Sequence, residues 1–224
     1  MTRTRVILSS YLGVLLFAAL IFLSAWKLLY WQALLYLGVA LVGTTLNHLL
    51  VGRDSDLTVE RASRAREGED WDKRILGAFF LVNVATFAVA GLDSGRFGWS
   101  GPLPLAVAVS GVLLMLVGQV LFAIAKRSNR FFSSTVRIQT ERGHRVCEAG
   151  PYRYLRHPGY SGMLLSLLAF PLVLEAYWAF VPASLGAVLL IVRTLLEDRF
   201  LKEHLPGYVD YATRTRWRLI PRVF

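Results

Sequence analysis

A chain of 224 residues has room for one large domain or two small ones. Its composition excludes a soluble fold: 55% of it is hydrophobic, its mean hydropathy is +0.48, and its charges come in blocks instead of alternating along amphipathic faces. We read it as an all-α, polytopic membrane protein; the net charge of +10, which in a soluble chain would suggest nucleic acid, is more economically explained by lysine and arginine retained on one membrane face.

The first uncharged run, Val6–Trp26, follows Arg3 and Arg5. It is longer than a signal-peptide core, so it reads as a transmembrane helix that stays in place. After Lys27 a second run, Leu28–Gly52, carries Asn47 and His48 near its end; a neutral packing role suits this histidine better than catalysis. Arg53–Arg74 is a polar connection of mixed charge that reads as a solvated loop, with a short amphipathic helix over Thr58–Gly68 and Trp71 at the interface. Ile75–Leu92 is the third run, Asp93–Gly101 a glycine-rich connection, and Leu103–Ala125 the fourth, where Gly111 and Gly118 permit close helix packing. Lys126, Arg127 and Arg130 end it.

Gly159–Leu174 and Ala176–Val192 form a last pair, a helical hairpin turning at Glu175. At 1.5 Å per residue each covers only about 24 to 26 Å, short of a hydrocarbon core of roughly 30 Å. Either flanking residues complete the crossing, or the polar ends reach into the membrane. With the N-terminus inside and six crossings, the outer connections hold only Lys27 and Arg96 among the 25 basic residues. That bias places both termini on the cytoplasmic face. The chain thus divides into residues 1–125, four helices with a cytoplasmic loop at 53–74, and residues 126–224, a polar linker, the hairpin and a cytoplasmic tail.

The chemistry-bearing residues are concentrated in Arg137–Tyr160 and at the helix end Arg193–Glu197, on the same face. Arg193 and Glu197, four apart, share one side of a helix. An arginine ending an apolar run can simply snorkel, yet ionisable residues at membrane depth are costly and mark functional sites. Gly150-Pro151 breaks any preceding helix, and Pro158 suits the first turn of the next. His157 then lies at a helix N-terminus, which favours an anionic group, while Tyr152, Tyr154 and Tyr160 offer faces that attract cations. Such a site suits a zwitterionic ligand with a positive centre; an interfacial belt of tyrosine and arginine is the competing explanation. A phosphate loop, a metal cluster and G-x-S-x-G are all missing from the sequence, and Cys147 beside histidines is a weak case for a thiol nucleophile. The lone cysteine excludes an internal disulfide.

These residues resemble the isoprenylcysteine carboxyl methyltransferase family and the related phospholipid methyltransferases. Gln139 precedes a loop, then comes His-x-Val-x-x-x-Gly-x-Tyr-x-x-x-Arg-His-Pro-x-Tyr over His144–Tyr160, and Arg-x-x-x-Glu at Arg193 and Glu197. Gly207-Tyr208, Tyr211 and Arg218-Leu219-Ile220-Pro221 extend the likeness, which runs from about Arg137 to Pro221. The resemblance implies S-adenosylmethionine as methyl donor on the cytoplasmic side and a lipophilic or lipidated acceptor entering from the membrane lipids. By position, Gln139, His144, Arg145, Val146, Cys147, Tyr152, His157, Pro158, Gly159, Tyr160 and Glu197 would surround the donor, and Arg193 would orient the acceptor. The family often has paired glutamates where this chain has Glu197-Asp198, and Cys147 stands where an aliphatic residue is common.

The two catalytic candidates, Arg193 and Glu197, suit two acceptors. A carboxylate needs a guanidinium to hold it; an amine needs a base to take its proton. Carboxyl O-methylation of an isoprenylcysteine-like acceptor is the leading expectation, with phospholipid N-methylation as the alternative. A nicotinamide-dependent membrane sterol reductase-like enzyme and a non-catalytic membrane scaffold are the readings from other classes. No nucleic-acid partner and no metal are expected.

Overall fold

A computed structural model describes residues 2–51 and 67–224. The amphipathic helix expected over Thr58–Gly68 lies outside them but for its last two residues.

The uncharged runs form helices because only a helix satisfies its own peptide groups in hydrocarbon. α1 spans Arg3–Ala25, α2 Trp31–Val51, α3 Asp70–Ala90, α4 Leu105–Ser128, α5 Pro158–Val173 and α6 Phe180–His204. A short α7, Tyr208–Arg214, lies in the C-terminal tail. Five of these are long and apolar enough to cross a membrane, α5 being the shorter apolar sixth, so the chain is a multi-pass membrane protein.

Two boundaries differ from the sequence expectation. α3 begins at Asp70, inside what reads as a solvated loop, because acidic Asp70 and Asp72 in its first turn complement the helix dipole. Its far end continues as π-helix through Gly91–Phe97, where a glycine-rich connection was expected. There the buried Asp93 accepts from the Ser100 and Trp178 N–H groups at 2.8 and 3.0 Å, which ties the connection to the hairpin turn. That turn is at Glu175, as expected; its φ of +52° reverses the chain and its carboxylate accepts from Gln32 Nε2 at 2.9 Å.

α6 resolves the short-hairpin question for its own half. It runs 25 residues, carrying Arg193, Glu197 and Asp198 in mid-helix instead of at a helix end. α5 keeps its 16 residues and contains Pro171.

α4 and α5 meet backbone to backbone. A Cβ on Gly118 would stand 2.7 Å from the Gly162 carbonyl oxygen, and one on Gly162 would stand 2.5 Å from that of Gly118. A Cβ on Gly111 would lie 2.6 Å from the Val173 nitrogen. Small residues at Gly111 and Gly118 thus do what the sequence suggests. The aromatic core of the bundle, Tyr36, Phe87 and Phe170, packs in edge and stacked contacts 4.2 to 5.4 Å apart.

Candidate active site

The linker after α4 folds back over the N-terminal ends of α3 and α5 and the second half of α6. Its anchor is Asp72, third residue of α3 and fully buried. Asp72 Oδ2 accepts the Val136 N–H at 2.9 Å, and the Glu69 N–H bonds the Val136 carbonyl at 3.0 Å. Gln139 is buried and spent within the linker. Its Nε2 donates to the Phe131 carbonyl at 2.6 Å and its Oε1 accepts from Arg142 at 2.7 Å. It shapes the linker and is not among the residues that line the cleft.

The Gln139 N–H donates to His144 Nδ1 at 3.3 Å, which requires that nitrogen unprotonated. Burial, with Arg137 and Arg142 nearby, pushes the His144 pKa down to about 4. The imidazole is neutral, carries its proton on Nε2, and lies 4.6 Å from the Phe131 ring. From Arg145 to Glu148 the backbone is in neither helix nor strand. Among the described residues none of its N–H or C=O groups enters a backbone–backbone hydrogen bond. Burial pushes the Cys147 thiol up, and its Sγ donates to the Ser128 carbonyl at 3.4 Å, so it is neither thiolate nor poised nucleophile.

Pro158 begins α5 as expected, with His157 at the cap position. The His157 ring lies parallel to that of Tyr160, centroids 5.7 Å apart, and the Tyr160 hydroxyl donates to Glu197 Oε2. Arg193 and Glu197 share a face of α6 as predicted but are not partners. Arg193 donates from Nε to Asp72 Oδ1 at 2.7 Å, and from Nη2 to Asp72 Oδ2 at 3.2 Å and the Ser134 carbonyl at 2.8 Å. Its Cζ lies 5.0 Å over the Tyr160 ring.

Asp198 is the centre of a second buried network. Arg156 grips it with two bonds of 2.7 and 3.0 Å, Arg218 and Lys202 approach at 3.2 and 3.1 Å, and the Tyr208 hydroxyl donates to it at 3.1 Å. His157 Nε2 is 3.5 Å from the same carboxylate. The tail is sewn on beside it, with the Arg156 and His157 N–H groups bonding the Trp217 and Arg218 carbonyls at 2.9 Å. The Tyr211 hydroxyl donates to the Tyr152 carbonyl at 2.7 Å, and burial raises both phenol pKa values.

These elements enclose a cleft of about 780 Å³ including its open mouth. His144, Arg145, Val146, Cys147, Tyr152, His157, Gly159, Tyr160 and Glu197 line it, as the sequence suggested; Gln139, Pro158 and Arg193 do not. Sequence reasoning missed Asn129, Phe131 and Leu201 on its walls and named Arg156, which also lines it, only as a motif position. Tyr208 and Tyr211, noted there only as part of the tail's likeness, line it too. It also missed Asp72, for which the acidic run ahead of an apolar segment was the available signal. Behind α5's first turns lies a second cavity, about 1200 Å³ with its opening, mostly apolar but bearing Asn47, Asn83, Gln119 and Ser166. Phe122 lines that cavity and Phe132 lines the cleft, and the two rings meet edge to face at 5.5 Å.

The resemblance drawn from sequence holds over the middle of the chain: residues 110–203 match the isoprenylcysteine carboxyl methyltransferase family. The chain is 31% identical over 139 residues to the cobalt-zinc-cadmium resistance protein CzcN of Cupriavidus metallidurans, covering 59% of this chain and 58% of that one. It is 35% identical over 87 residues to a probable protein-S-isoprenylcysteine O-methyltransferase of rice (Oryza sativa subsp. indica), covering 33% of this chain and 46% of the relative. With protein-S-isoprenylcysteine O-methyltransferase B of Arabidopsis thaliana it shares 29% identity over 119 residues, 46% of this chain and 54% of the other. The chain spans about half the length of the curated relatives it matches.

Proposed function

We propose that this chain, whose residues 110–203 match the isoprenylcysteine carboxyl methyltransferase family, is an integral membrane methyltransferase using S-adenosylmethionine. Its favoured acceptor is the carboxylate of a lipophilic, isoprenylcysteine-like molecule. The observation that carries this reading is the Tyr160–Glu197 bond in the cleft, which joins the first turn of α5 to α6, with the mostly apolar cavity behind those same turns of α5. A water-soluble donor and a lipid acceptor would meet there.

The residues present suit the donor. The peptide groups of Arg145–Glu148, in no backbone–backbone hydrogen bond among the described residues, can bond an adenine edge or an amino-acid group, and Phe131, Leu201 and Leu205 supply apolar surface. Arg145 and neutral His144 offer donors to a carboxylate, while Glu197 with the Tyr160 ring favours a positive centre. When bound, S-adenosylmethionine supplies an electrophilic methyl group on a sulfonium, displaced in line by an acceptor lone pair. Positioning accounts for much of such a rate. Tyr160 fixes the Glu197 carboxylate and Asp72 fixes the Arg193 guanidinium, while residues of the linker and the tail wall the cleft. The lysine and arginine bias supports a cytoplasmic position for both termini and the cleft.

A second reading, N-methylation of an aminophospholipid, is favoured by one observation. The Arg193 charge is already met by Asp72, whereas Glu197 has no ion pair among the described residues. A carboxylate in that state can take the proton an amine must lose.

Titration of the purified protein with S-adenosylhomocysteine is the test of class, followed by labelled methyl transfer to a prenylcysteine and to phosphatidylethanolamine. Binding with label on the prenylcysteine is expected. Label on the phospholipid alone selects the second reading, and failure to bind either S-adenosyl compound rejects both.

A further inference from the structure

Arg193 and Glu197 stand one turn apart on α6, opposite in charge and at a spacing where side chains pair. Left to themselves in a site of low polarity they would neutralise each other, and neither would be available to a substrate. The structure has them apart. Two guanidinium nitrogens go to Asp72, and the Glu197 carboxylate goes to the Tyr160 hydroxyl. Among the described residues no ion pair joins Arg193 to Glu197.

We propose that Asp72 is a positioning residue: its carboxylate, supplied by α3, holds Arg193 off Glu197 and leaves a guanidinium edge and a carboxylate separately presented to the methyl acceptor. Asp72 is built for this. It is fully buried, it is fixed from the other side by the Val136 N–H at 2.9 Å, and it sits in the first turn of α3 where the helix dipole favours an anion. Its grip uses Nε and Nη2, so Nη1 is the amino group left out of the clasp. The Ser134 carbonyl, 2.8 Å from Nη2, prevents rotation about the guanidinium plane. Asp72 lies outside the family-matched residues 110–203, so it adds a requirement from the N-terminal half to a site otherwise built by the C-terminal half.

The proposal rests on the methyltransferase reading for its kinetic arm but not for its structural arm. In the kinetic arm, Asp72→Glu keeps the charge and moves it by one methylene. Turnover should fall by about tenfold or more with S-adenosylhomocysteine affinity within about threefold of wild type, the signature of a misplaced group rather than a lost cofactor site. Unchanged turnover, or equal loss of turnover and affinity, overturns the proposal. In the structural arm, Arg193→Lys and Glu197→Gln are made singly and together, in the wild-type and Asp72→Asn backgrounds, and apparent Tm is measured. The two shifts should add in the wild type and become non-additive once Asp72→Asn frees Arg193 to reach Glu197. Additivity in both backgrounds overturns the proposal. A wild-type protein that binds no S-adenosyl compound would instead reject the functional reading, leaving the Tm cycle to decide the role of Asp72.

Discussion

Helix α6 carries two buried arginine–aspartate pairs, and they are not alike. Asp198 is held by Arg156, Arg218, Lys202 and Tyr208, and its partners come from the α5 entry, the tail and α6 itself. Among the described residues Arg193 is held by Asp72 of α3 and one carbonyl, with the Tyr160 ring beneath its guanidinium. The first arrangement saturates its carboxylate and fastens three segments together. The second leaves hydrogen-bonding capacity on the cation and places it beside Glu197. Saturation marks a structural tie, and incomplete saturation next to a cleft marks a group kept for a ligand.

The contrast is sharpest at Asp198. Asp198→Asn leaves Arg156 buried without its counter-charge, and breaking such a pair costs roughly 3–5 kcal/mol. A large fall in apparent Tm, faster proteolysis of the tail after Pro206, and loss of S-adenosylhomocysteine binding are expected together; a stable variant with an intact tail would erase the distinction. Arg193→Lys should behave differently. It keeps the charge but not the two-pronged contact, so turnover should drop about 100-fold with donor affinity nearly unchanged. Steady-state kinetics beside calorimetry reads both.

The smallest effect belongs to the linker. His144 is held neutral in the fold with a pKa near 4, below its unfolded value, so the unfolded chain binds the extra proton first. Stability should therefore be full above about pH 6.5 and decline as pH falls toward 4. Apparent Tm against pH reports it, and His144→Gln should flatten that limb without touching either aspartate pair.

The helices were legible because hydrocarbon runs admit no other structure, and the glycines of α4 because nothing else lets two backbones touch. The aromatic and histidine residues of the cleft were legible through a compact motif, and they do converge. What escaped were partnerships. Spacing placed Arg193 and Glu197 on one face, but their partners, Asp72 and Tyr160, come from other helices, and local sequence holds no record of a contact over 121 residues. The first turn of α3 was hidden by its own charges. Asp70, Asp72, Lys73 and Arg74 read as solvent-loving loop, although acids ahead of an apolar run are also how a helix begins. Gln139 shows the converse, a motif position whose side-chain bonds go to the linker itself.

The seam between α4 and α5 has a mechanical consequence. Where Gly118 and Gly162 meet, backbone lies on backbone with only the Ser166 hydroxyl and the Phe122 Cβ beside it, so the two helices have little side-chain slack between them. Gly159 and Tyr160, at the head of α5, and Asn129, just past the end of α4, therefore move as one piece of masonry. On the other side of α5 the packing is through side chains instead, where Gly186 of α6 faces Leu167 of α5 and Phe79 and Val82 of α3.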